Sequence, residues 1–129
     1  MMARRGLVAL LLLLAAGPAH AAGFDAIAID SNIGKAQGNG DYAVGQAGTE
    51  REARRIAMSN CTAGGNVACT IKLTYRQCGA YAAAPPRFSG QGTGATEQAA
   101  ADAALKACGN GACKLVVADC VNAPLRPPQ

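Results

Sequence analysis

Six cysteines are the residues most able to do chemistry in this 129-residue chain. They could form disulfides or bind a metal. No Cys-x-x-Cys pair occurs, and the single histidine is His20, so the close ligand pairs of a zinc site are missing. An even number of cysteines in a small exported chain is typical of three disulfides. We therefore expect disulfides and neither a metal nor another cofactor. The cysteines are Cys61, Cys69, Cys78, Cys108, Cys113 and Cys120.

Acidic side chains offer a second kind of chemistry. A pair of carboxyl groups can hydrolyse a glycan, and the candidates are Glu50, Glu97, Asp25, Asp30 and Asp41. However, the two glutamates fall in the first turns of expected helices, where a negative charge complements the helix dipole. A catalytic serine or cysteine would need a histidine base. The only histidine is His20, which lies in the N-terminal segment that we interpret below as a cleaved signal peptide. We expect a non-enzymatic protein, with a Glu- or Asp-dependent cell-wall glycan hydrolase as the less favoured alternative.

The N-terminal residues 1–21 have the pattern of a secretory signal peptide. Arg4 and Arg5 precede a short apolar run, and Ala19-His20-Ala21 is a small-x-small cleavage site. The apolar run is about half of the roughly 20 residues that span a bilayer. Cleavage near Ala21 removes two arginines and lowers the formal net charge from +4 to +2. We therefore expect a periplasmic or secreted protein without a membrane anchor.

An internal repeat organises the mature chain. Twelve residues separate Thr49 from Cys61, and twelve separate Thr96 from Cys108. Each threonine is a good helix N-cap, and each half of the chain has the pattern strand, strand, helix, strand. The sequence thus predicts an α+β fold with a mainly antiparallel sheet and three disulfides. The single domain covers residues 22–123, with repeats at about 24–78 and 79–120, and an extended tail follows at 124–129.

The repeat also restricts the disulfide pairing. Two cysteine pairs flank the turn from a helix to the next strand, one pair in each half. The two remaining cysteines occupy what look like equivalent positions, so we expect them to meet across a pseudo-two-fold axis and join the halves. Such a long-range bond is worth about 4 kcal/mol in the chain-entropy treatment. The expected pairs are Cys61–Cys69, Cys108–Cys113 and Cys78–Cys120.

Basic residues cluster on the outer face of the first helix. Arg51, Arg54 and Arg55 could be a solvated face, a nucleic-acid site or a site for an acidic protein partner. A net charge of +2 and an exported location disfavour nucleic acid. Arginine is enriched at the energetic centres of protein interfaces. We therefore predict that the three arginines bind a protein partner.

A glycine-rich segment, 90–94, leads into the second helix and could bind an anion at the helix N-terminus. It lacks the lysine of a phosphate loop and the spacing of a dinucleotide fingerprint. The first half has a similar segment at 45–48. We interpret both as structural bends.

The combined pattern resembles a known family. It consists of Ala26-Ile27-Ala28, a glycine-containing strand, Thr-Glu-x-x-Ala-x-x-x-Ala, and a cysteine followed by Cys–strand–Cys. This is similar to the bacterial domain of unknown function 4189 family, over Ala26 to Cys120. The resemblance implies a small exported protein, and some relatives are similar to periplasmic immunity proteins that neutralise a rival's secreted toxin. It implies no catalytic residue. A protein-binding module with a toxin or envelope protein as partner is the favoured function, and an envelope structural or stress protein is the alternative.

Overall fold

Two copies of one strand–strand–helix–strand unit form the fold, which confirms the α+β class and the duplication. The computed structural model describes residues 23–32 and 41–122. The expected signal peptide and the expected extended tail lie outside the described residues. The elements are β1 (Phe24–Asp30), β2 (Tyr42–Ala47), α1 (Glu50–Ala63), β3 (Cys69–Tyr75), β4 (Cys78–Ala84), β5 (Phe88–Gly94), α2 (Glu97–Cys108) and β6 (Lys114–Cys120).

Each unit contributes one three-stranded antiparallel sheet. The strand orders are β2-β1-β3 and β5-β4-β6, so the first strand of each unit lies in the centre. Ala26 pairs with Gly45 in the first sheet, and Ala80 pairs with Gly92 in the second. Both central strands have a register shift at the same place, after Ile27 and after Tyr81. The two units therefore match in register as well as in order.

Four layers stack in the order α1, first sheet, second sheet, α2. In β1, Ile27 and Ile29 face the other sheet, while Ala26 and Ala28 face α1. This follows from the two-residue period of a strand, which sends alternate side chains to opposite faces. The apolar core between the sheets comprises Ile27, Ile29, Leu73, Tyr75, Tyr81, Ala83 and Val117.

Small residues allow the helices to lie very close to the sheets. A Cβ added at Gly45 would lie 2.9 Å from Ala57 Cα and closer still to the Ala53 carbonyl oxygen. Gly90 and Gly92 meet the backbone of α2 in the same way. The glycine-rich segment is therefore structural, but it is not the bend that we expected, because residues 90–94 belong to strand β5 and side chains there would push the helix away. Thr49 and Thr96 accept hydrogen bonds from the first turns of their helices, at 3.3 and 3.1 Å.

The three expected disulfide pairs are present. Cys61–Cys69 and Cys108–Cys113 each tie the end of a helix to the strand that follows it. No cysteine of the chain is free.

The third disulfide, Cys78–Cys120, forms for a different reason from the one we gave. Cys78 begins β4 and Cys120 ends β6, and they are directly opposite each other in one sheet, with 4.0 Å between their Cα atoms. The bond therefore closes the second unit and does not join the two halves. The register places Phe24 and Arg76 at the corresponding positions of the first unit, where the guanidinium lies 4.5 Å from the ring centroid. A cation–π contact occupies the place of the disulfide.

Candidate functional site

One side of α1 carries a row of basic and apolar side chains, which we call the α1 stripe: Arg51, Arg54, Arg55 and Met58. Their spacing of three and four residues places them on the same side of the helix. The opposite side buries Ala53, Ala57 and Cys61 against the first sheet. With Glu50, the stripe lines an open depression of about 580 Å³. Met58 also packs against the core beneath α1, and it adds an apolar side chain to the lining of the depression.

Glutamates organise two of the three arginines. Arg54 Nη2 donates to Glu50 Oε1 at 2.8 Å, and the same oxygen accepts a 2.8 Å hydrogen bond from Thr74 Oγ1. Arg55 donates through Nε to both oxygens of Glu52, each at 3.0 Å. This pairing lowers the pKa of Glu52 and raises the pKa of Arg55.

The structure thus brings the three expected arginines onto one surface. This surface carries both positive and negative side chains, because Glu50 and Glu52 lie among the arginines. Within the part of the chain that the structure describes, Arg51 makes no salt bridge, whereas Arg54 and Arg55 do. The sequence already contained this information, because Glu50–Arg54 and Glu52–Arg55 have the spacing at which helical side chains meet. Exposed pairs of this kind contribute little to stability, because water and salt screen their attraction.

The two expected glutamates are not brought together, whereas Asp41 lies beside Asp30 and accepts a 2.9 Å hydrogen bond from its backbone N–H. Glu50 and Glu97 begin α1 and α2, which lie on the outer faces of different sheets. Asp30 is fully buried and accepts hydrogen bonds from the backbone N–H groups of Asn32 and Val67. It therefore ties the end of β1 to the turn before β3.

A buried polar cluster between the sheets was not foreseen. Asp25 on β1 is 1% exposed, and its carboxyl group is within hydrogen-bonding contact of the Asp119 carboxyl on β6. Tyr75 Oη donates to Asp119 Oδ2 at 2.5 Å, and Gln46 Nε2 donates to Asp25 Oδ2 at 3.1 Å. Burial, and secondly the Asp119 carboxyl, raise the pKa of Asp25 to about 8. The same two causes raise the pKa of Tyr75 well above its ordinary value.

We call Asp25 and Asp119 the acid pair. The residues at equivalent positions of the two units differ here, so the cluster is asymmetric. Asp25 pairs with Tyr75 in the first sheet, and Gly79 pairs with Asp119 in the second. Asp25 thus corresponds to Gly79, and Tyr75 corresponds to Asp119. A Cβ at Gly79 would overlap the Tyr75 ring, so glycine makes room for the aromatic side chain of the other unit. A signal existed in the sequence, because Asp25 shares the inward-facing phase of Ile27 and Ile29.

A comparison with family models matches residues 24–120 to the family described as Domain of unknown function (DUF4189). The chain belongs to this family. The matched DUF4189 region runs from β1 to the last residue of β6 and thus includes both units. No curated protein and no solved structure matches this DUF4189 chain.

The three disulfides are consistent with an oxidising location for the DUF4189 protein, such as the periplasm or the cell exterior. Among residues 23–32 and 41–122, no helix is long and apolar enough to cross a membrane. The same residues contain no group of three or more His, Cys, Asp or Glu side chains that could hold a metal ion.

Proposed function

We propose that this DUF4189 protein is an exported, non-enzymatic binding module that recognises another protein through the α1 stripe. The observation that carries this proposal is the depression itself, whose lining combines the apolar side chain of Met58 with three arginines. Arginine beside an accessible apolar side chain is the composition of an interface centre. The surface therefore fits a protein that presents carboxylates around an apolar side chain.

The internal salt bridges prepare this surface for a partner. Glu50 and Glu52 hold Arg54 and Arg55 in place, which reduces the side-chain entropy that binding would cost. Because exposed ion pairs are weak, a carboxylate of the partner can replace a glutamate with little loss of free energy. Guanidinium groups bind carboxylates through two parallel hydrogen bonds. Methionine adapts its shape to an apolar contact.

The most specific form of the proposal is that the partner is a toxin delivered by a rival bacterium, and that this protein is a periplasmic immunity protein. The signal-peptide pattern and the three disulfides support a location where such a toxin would be met. Family resemblance supports the role. A compact protein with a preformed site for an acidic partner is suited to inhibit a toxin by binding it directly.

The test is affinity capture from a cell-envelope extract with the oxidised mature protein as bait. The stripe variant carries Arg51→Glu, Arg54→Glu and Arg55→Glu. A matched control carries Arg87→Glu, Lys106→Glu and Lys114→Glu, which change the net charge equally at exposed positions of the second unit. We expect wild type and control to capture the same protein and the stripe variant to lose it. Equal capture by all three baits would remove the α1 stripe from the binding site.

A further inference from the structure

We propose that Asp25 and Asp119 share one proton, and that this proton acts as a latch between the two units, so that their junction is tight in acid and loosens in alkali. The proposal concerns the interior of the protein and does not depend on the identity of a partner. It rests on which units the two carboxyl groups come from and on the groups that surround them.

The acid pair links different halves of the molecule. Asp25 belongs to β1 of the first unit and Asp119 to β6 of the second, and Tyr75 of the first unit also donates to Asp119. Two carboxylates in contact repel each other strongly when both are ionised, and such pairs retain one proton between them. A retained proton converts this repulsion into a hydrogen bond across the junction.

The neighbouring groups determine how the proton is arranged. Tyr75 donates to Asp119 Oδ2, and Asp25 is the more buried of the two carboxyl groups. Because burial disfavours the charged form, the shared proton stays mainly with Asp25. From the other surrounding strands, β2 contributes the neutral amide of Gln46, and β4 contributes Gly79.

Positive charge does not compensate the acid pair. Thr93, which pairs with Gly79 on β5, is uncharged. Arg76, next to Tyr75, lies over the ring of Phe24. Among the described residues, no Lys or Arg forms a salt bridge with either carboxyl group. Loss of the shared proton would thus leave two like charges in contact, with no salt bridge from a described Lys or Arg to offset them.

The direction of the pH effect follows from proton binding. An unfolded aspartate has a pKa of about 4, whereas burial and Asp119 raise the pKa of Asp25 to about 8 in the folded protein. Between these values the folded protein holds a proton that the unfolded chain has released. Stability therefore falls as pH rises through this interval, and the unfolding constant increases about tenfold per pH unit. Above about pH 8 this contribution is fully lost and the profile levels.

The experiment measures chemical denaturation from pH 4 to 9 for wild type and Asp25→Asn, which keeps the shape of the side chain but cannot titrate. The ratio of the two unfolding constants isolates Asp25 from the other acids. We expect this ratio to rise about tenfold per pH unit from about pH 5 to 8. Asp102→Asn, at an exposed position of α2, is the matched control and should keep the wild-type profile.

Two further measurements keep the proposal testable if Asp25→Asn does not fold. Asp119→Asn removes the second carboxylate and should shorten the pH interval over which stability falls. Infrared spectroscopy of the wild type should show a protonated carboxyl band at pH 6 that disappears by pH 9. Parallel profiles for wild type and Asp25→Asn, or no protonated carboxyl band at pH 6, would overturn the latch.

Discussion

The close contact between α1 and the first sheet allows a direct test of what stabilises the fold. Gly45 lies directly under α1, and a Cβ there would approach Ala57 Cα to 2.9 Å and the Ala53 carbonyl oxygen more closely. Real Cβ atoms essentially never approach within 3.0 Å of another heavy atom. The clashing atoms belong to the helix backbone and cannot rotate away. Gly45→Ala must therefore lift the helix from the sheet.

The expected cost follows from what this movement separates. Ala26, Ala28, Ala53 and Ala57 are all fully buried at this contact. A gap of roughly 0.5–1 Å forfeits about a quarter to a half of the dispersion attraction between facing atoms. Overpacking of a well-packed site costs about 1–3 kcal/mol. Because the backbone of a whole helix is displaced, we expect about 3 kcal/mol for Gly45→Ala.

Gly48→Ala is the matched control, because a Cβ at Gly48 has nothing within 4 Å. Alanine at an unstrained position stabilises by about 0.4–1 kcal/mol through the unfolded chain. The assay is guanidinium unfolding of the oxidised proteins, followed by circular dichroism. If Gly45→Ala were within about 0.5 kcal/mol of Gly48→Ala, the close helix–sheet contact would not be a determinant of stability.

Three other substitutions test separate parts of the structure. Replacing Cys78 and Cys120 together by serine should cost about 2–4 kcal/mol in thermal unfolding, while non-reducing peptide maps still show the other two disulfides. Thr96→Ala should cost about 1 kcal/mol in urea unfolding because the α2 N-cap is lost, and a cost near zero would contradict the cap. Tyr75→Phe should lower the free energy of unfolding by about 1–3 kcal/mol, because Asp119 loses a partly buried hydrogen-bond donor. Unchanged stability would show that this hydrogen bond does not stabilise the fold.

Local patterns predicted the elements well, because the repeat presented each signal twice. The Thr49 and Thr96 caps, and the two short-range disulfides, depend on residues close together in the chain. Cys78–Cys120 required strand order, which the repeat did not specify. We matched these cysteines as equivalent residues, whereas the register matches Cys78 with Phe24 and Cys120 with Arg76.

The buried acid pair required knowledge of how the two sheets face each other. Period-two alternation places Asp25 on the inward face of β1, but nothing local indicates that Asp119 lies opposite it. Asp25 corresponds to Gly79, and Tyr75 corresponds to Asp119. These equivalences can be recognised only from the strand register of the two units. By contrast, the position of Arg51 on the outer face of α1 followed directly from helical periodicity.

Calorimetric titration of the captured partner measures whether the α1 stripe is a binding surface. Hot-spot arginines contribute about 2 kcal/mol or more, or roughly a 30-fold change in affinity. We expect Arg51→Glu, Arg54→Glu and Arg55→Glu together to weaken binding by at least that factor and to leave the melting temperature nearly unchanged. Added salt should weaken wild-type binding because it screens the charges. Wild-type affinity in the stripe variant would show that the stripe is not the binding surface.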